Sequence, residues 1–168
     1  MLLNFTSMIE LMTVGYEGLK PEKFLQLLKR YRVERIVDVR ELAISRRPGF
    51  AKVALTAMLD GANIEYSHLP TLGCPREIRH AYREDGDWAR YTKRFLAYLK
   101  TRDNDMVEVR RLVEQERCCL LCYEADFNFC HRLFVAERLA SFAGGLTINH
   151  LTGPIQGRAV ERPTLLAA

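Results

Sequence analysis

Residues Cys118–Ala143 read CCLLCYEADFNFCHRLFVAERLASFA. The opening CCLLCY is an unbroken apolar run of strand length, as expected of a strand buried on both faces. The closing CHRLFVAERLASFA has the length and periodicity of a helix. A short polar and aromatic link joins them, so the stretch predicts one strand–loop–helix unit.

Working outward, the same alternation recurs. IELMTVGY predicts a first strand. Pro21 then opens a helix whose Phe24, Leu27, Leu28 and Tyr31 fall at helical spacing. RIVDV is a second strand and FAKVALTAMLDGA a second helix ending near Gly61. IEYSHL is a third strand, followed by a polar loop over residues 71–86. Asp87 reads as the cap of a helix carrying Trp88, Tyr91, Phe95 and Tyr98. MVEVRRLVEQE is a further helix, and LTINHL is a fifth strand after CCLLCY. Strands alternating with helices predict an α/β fold, with a mostly parallel five-stranded sheet covered on both faces. Residues 1–152 read as a single α/β domain, and residues 153–168, with Pro154 and Pro163, as an irregular tail.

Composition narrows the class. The chain has 168 residues, 48% hydrophobic and 27% charged, an ordinary globular balance with room for one core. No run reaches the roughly 18 apolar residues of a membrane span. The N-terminal MLLNFTSMIELMTVGY has no basic leader and reads as a lead-in to a strand. Five cysteines form no disulfide framework, which points to free thiols and a cytoplasmic setting. A net charge of +4 permits an anionic partner, a small molecule or nucleic acid.

Parallel α/β sheets bind ligands beyond the carboxyl ends of their strands. The predicted ends carry Gly15 and Tyr16, Asp38 and Arg40, His68, and Cys122 and Glu124. The segment Cys122–Arg132 adds Cys130, His131 and Arg132. Asn128 reads as an N-cap that puts these three in the first helical turn, where free N–H groups favour an anion. A cation there opposes the helix dipole by roughly 0.3–1 kcal/mol, so Arg132 needs an anion or a carboxylate such as Glu124. Arg46 and Arg47 precede a Pro-Gly turn and, with Arg40 and Arg132, make a candidate anion site together with Gly15 and Tyr16. The candidate catalytic groups are His68, Cys130, His131, Asp38 and Glu124. Cys130 is the better nucleophile candidate, because a helix start lowers a thiol pKa.

Cys119, Cys122, Cys130 and His131 can be written C-x2-C-x7-C-H, superficially a zinc pattern. Within a strand, however, positions 119 and 122 point to opposite faces. No metal site is therefore expected, and no cofactor is assigned.

Four stretches, TVGYEG, IVDVRELAISRRPGF, IEYSHLPTLG and LLCYEADFNFCHRLFVAERL, resemble in order the bacterial and archaeal proteins of domain of unknown function family 488. The resemblance covers roughly Met12 to Leu151 and implies a Rossmann-like three-layer sandwich. It matches the family's recurrent Gly15, Asp38, Arg40, Arg46, His68, Leu69, Pro70, Cys122, Glu124, Cys130, His131 and Arg132. Tyr16 and Glu17 stand where many members carry histidine and serine. IVDVRE is also similar to rhodanese domains, but their cysteine loop is missing. These features lead to an enzyme acting on a phosphate-bearing ligand, a nucleotide or a nucleic-acid end. A non-catalytic binding module and a thiol-based redox protein are the alternatives.

Overall fold

The computed structural model describes residues 8–152. Five strands, β1 (Ile9–Gly15), β2 (Arg35–Asp38), β3 (Glu65–His68), β4 (Cys118–Cys122) and β5 (Leu146–Leu151), form one sheet in the order β3-β2-β4-β1-β5. Every pairing is parallel. Six helices cover it: α1 (Pro21–Arg30), α2 (Lys52–Asp60), α3 (Arg76–Asp85), α4 (Trp88–Leu99), α5 (Asp103–Gln115) and α6 (His131–Ala143). The fold is the expected three-layer α/β sandwich. No helix among the described residues is long and apolar enough to cross a membrane.

β4 is the central strand and is buried along its whole length. Its residues alternate between two cores, as the pleat requires. Cys118 and Leu120 face a core built on α3–α6, with Ile78, Phe95, Val109 and Leu139. Cys119 and Leu121 face the core of α1 and α2, with Phe24, Leu28, Leu55 and Leu59. Such side chains each contribute about 1.5–3 kcal/mol on burial, so this double-sided packing fixes β4 in the centre.

The segment expected as a loop over residues 71–86 instead contains α3. Pro75 occupies its N-cap, and Gly86 ends it in the left-handed conformation at φ 66°. Ile78 packs into the core and Tyr82 against it, one turn apart, beneath an otherwise charged surface. That polarity hid the helix. Asp87 caps α4 by accepting a bond from the Arg90 N–H. The Trp88-to-Tyr98 stripe is core: Tyr91 and Phe95 are buried, while Trp88 and Tyr98 pack against them. The proposed tail 153–168 and the lead-in up to residue 7 lie outside the described residues.

The strand order sets the functional edge. The connections after β1 and β2 pass over the α1–α2 face, whereas those leading to β4 and β5 pass over the other. Right-handed crossovers running in opposite directions give this arrangement. β1 and β4 are neighbours whose following helices leave to opposite faces. Their carboxyl ends lie side by side, with Gly15 paired to Cys122, and the reversal of crossover direction at β4 makes this edge the topological switch point of the sheet.

Candidate functional site

At that edge the chain crosses itself closely. A Cβ on Gly15 would lie 1.7 Å from the Glu124 carbonyl oxygen, so only glycine lets the loop after β4 settle on the end of β1. Glu17 N–H donates to the Tyr123 carbonyl at 2.8 Å, and Ala125 N–H to the Glu17 carboxylate at 2.9 Å. Asp126 accepts from the N–H of Asn128 and caps a 3-10 turn over Phe127–Phe129. Asn128 is thus inside that turn rather than at the N-cap of α6, because the aspartate two residues earlier captures its N–H. Cys130 is the N-cap of α6, and His131 and Arg132 begin its first turn.

This loop returns Cys130 and His131 to the residues where it began. The Cys122 thiol lies 2.9 Å and the Cys130 thiol 3.1 Å from Oε2 of Glu124. Cys122 Sγ is 3.6 Å from Nδ1 of His131. One ligand-type atom from each of these four side chains lies within 4.8 Å of all the others. The thiols and the imidazole are buried, and only Glu124 is partly open. Nε2 of His131 sits 2.7 Å from the Val39 carbonyl. A carbonyl can only accept, so Nε2 carries a hydrogen and Nδ1 faces the thiols. Phe95 presents its ring edge-on to His131, with centroids 5.5 Å apart.

The electrostatics separate Cys130 from the other four thiols. Burial pushes Cys74 up to about 11 and Cys118 up to about 12, and raises Cys119 as well. Burial also raises Cys122, helped by the neighbouring Cys130 and Glu124. Cys130 goes the other way. Burial works against its thiolate, but hydrogen bonds from Cys122 and His131 and the charges of His131 and Arg132 bring it well below the ordinary thiol value. Burial raises the Glu124 carboxyl, reinforced by Cys130. His131 is raised despite burial, because Cys130 and Glu124 favour its charged form.

The arginines fall into two groups. Arg132 is 1% exposed and donates to the carbonyls of Glu124 at 2.5 Å and Ala125 at 3.2 Å, with a longer bond to Thr13. It meets the main chain of Glu124, not its carboxylate. Arg40 grips Asp38 through Nε at 2.9 Å and Nη2 at 2.6 Å, and Nη1 bonds Tyr16 Oη and the Phe50 carbonyl. Asp38 also accepts from Tyr66 Oη at 2.7 Å. Tyr16 is buried and stacked on Phe50 at 4.3 Å. The polar groups of Arg40, Asp38, Tyr16 and Arg132 are thus engaged with the protein itself. Arg46 is exposed on the loop after β2, and Arg47 there bonds the Leu19 carbonyl through Nη2 while its Nε has no partner among the described residues.

His68, at the end of β3, bonds the Arg40 carbonyl at 2.9 Å. It shares the carboxyl edge with Arg132 but sits on the outermost strand, β2 lying between it and β4. Sequence reasoning did not find Val39, which orients His131 through a backbone carbonyl and so leaves no side-chain signal. Nor did it find Cys74 and Tyr91, which lie close enough to influence each other, with Cys130 and Glu124 acting on Tyr91 as well. A cavity of about 240 Å³ lined by Glu10, Glu34, Glu116 and Arg117 precedes the strands, at the end opposite to where such sheets bind ligands.

Comparison with the curated proteins and with the solved structures gives no match. The family described as Domain of unknown function DUF488 matches residues 20–139, a span that holds every residue of the Cys122–Arg132 segment and the loop arginines. The chain belongs to this family.

Proposed function

We propose that the protein is an enzyme acting on a phosphate-bearing ligand, with Cys122, Glu124, Cys130 and His131 as its reactive centre. The observation that carries this reading is the convergence of two thiols, a carboxylate and an imidazole at the topological switch point of a parallel sheet. Buried acid–base groups of opposite shift so close together are the arrangement that moves protons during a reaction. Arg46, exposed on the loop after β2, and Arg47, whose Nε has no partner among the described residues, have donors to offer an anion. Arg40 and Arg132 hold the frame instead.

A panel of nucleotides, phosphomonoesters and phosphodiesters tests this by turnover and by thermal shift. We expect at least one to be turned over, with Glu124→Gln and Cys130→Ser each lowering kcat about 100-fold or more. The double variant Arg46→Ala, Arg47→Ala should raise KM with little change in kcat. If none is turned over and none raises the melting temperature, the reading fails.

A further inference from the structure

We infer that Cys122, Glu124, Cys130 and His131 form a binding site for one zinc-class transition-metal dication. This deepens the reading of the edge as a reactive centre and rests on it for chemistry, though not for binding itself. The donor types fit: thiolate and imidazole select zinc and its neighbours, and a carboxylate completes a mixed set. The size also fits. Bonds of about 2.0–2.3 Å to a tetrahedral metal place neighbouring donors about 3.3–3.8 Å apart. Of the separations, 2.9 and 3.1 Å lie just short of that range and 3.6 Å lies within it, and none of the four atoms is beyond 4.8 Å from another.

A second, independent observation is the Val39 carbonyl. Metal-binding histidines characteristically donate their other ring N–H to a carbonyl or carboxylate, which turns the ligating nitrogen inward. His131 does so through Nε2 at 2.7 Å, leaving Nδ1 toward the thiols. The ring is further held edge-on by Phe95. Charge is balanced too. Two thiolates and a carboxylate would be offset by a dication and the buried Arg132 guanidinium, anchored on the Glu124 carbonyl.

Strand parity does separate Cys119, which faces the α1–α2 core, from Cys122. The second thiol is Cys130, brought back by the loop over residues 123–129, and parity within β4 has no bearing on it. Glu124 is the partly open member of the four. It is therefore the ligand positioned to yield to a substrate oxygen, which would turn a closed site into one with an open position.

The test uses the full chain, stripped of metal under reducing conditions and titrated with zinc(II) and cobalt(II) salts. We expect one ion per chain and, with cobalt, thiolate-to-metal charge-transfer absorption. Cys122→Ser and Cys130→Ser should each weaken affinity about 100-fold or more, whereas Cys118→Ala should not. If a serine variant does not fold, the cobalt spectrum of the wild type decides. A spectrum without thiolate character, absence of stoichiometric binding, or unchanged affinity in a folded Cys130→Ser variant overturns the assignment. Metal-independent turnover of a phosphate ester would overturn it as a catalytic metal while leaving the enzyme reading intact. Tight thiolate-bound metal without turnover of any ester would do the reverse.

Discussion

Replacing Arg132 by alanine separates an anion-binding arginine from one that holds the loop. Arg132 is almost wholly buried and donates to two main-chain carbonyls, those of Glu124 and Ala125. Hydrogen bonds to a charged group contribute roughly 1.5–3 kcal/mol each, so losing both costs roughly 3–6 kcal/mol. The unfavourable helix dipole returns only about 0.3–1 kcal/mol. Water entering the vacated space recovers part of the rest, which places the net loss near 3–5 kcal/mol. Against a typical total of about 5–15 kcal/mol the variant should still fold but be markedly weakened. For a chain of this size the melting temperature should fall by roughly 6–20 °C. Arg132→Lys keeps the charge but loses the fork that reaches both carbonyls, so it should recover less than half. Urea and thermal unfolding followed by circular dichroism measure this. If both variants lie within about 0.5 kcal/mol of wild type while affinity for a phosphate ligand drops, Arg132 is an anion contact and the structural account is wrong.

Three further outcomes follow from the geometry. Gly15→Ala should cost at least about 3 kcal/mol, because its Cβ would meet the Glu124 backbone, whereas Gly86→Ala has open space and only its left-handed φ to strain, about 1–2 kcal/mol; chemical denaturation compares them. Asp38→Ala leaves Arg40 buried without its partner and should cost roughly 3–5 kcal/mol, and a loss under about 1 kcal/mol would mean that the pair is dispensable. Cys118 is an acid whose folded pKa, about 12, exceeds its ordinary 9.0. The folded state therefore binds its proton more tightly, and stability that is complete below pH 9 should be lost as pH rises from 9 through 12. Unfolding measured across that window should be less steep in pH for Cys118→Ala, by at most about 1.4 kcal/mol per unit.

The alternation of CCLLCY with CHRLFVAERLASFA, repeated along the chain, was enough to determine a parallel α/β sandwich. Hydrophobic periodicity is a local property, and a parallel sheet needs helical crossovers. The same reading placed Gly15, Asp38, His68 and Cys122 at the carboxyl ends of their strands, since strand ends follow from strand limits. It missed α3, whose two apolar residues sit among charges, and it misplaced the start of α6, where Asp126 competes for the Asn128 N–H. The partners of individual side chains were decided by the tertiary structure. That Arg132 meets carbonyls and Arg40 meets Asp38, rather than a ligand, depends on where the β1 and β4 loops cross, and Gly15 sets that crossing. That Cys130 rather than Cys119 joins Cys122 depends on a loop returning to its own origin. Spacing along a strand determines which face a side chain takes, but donor geometry at a site is set by distances across the fold, which the order of residues does not encode locally.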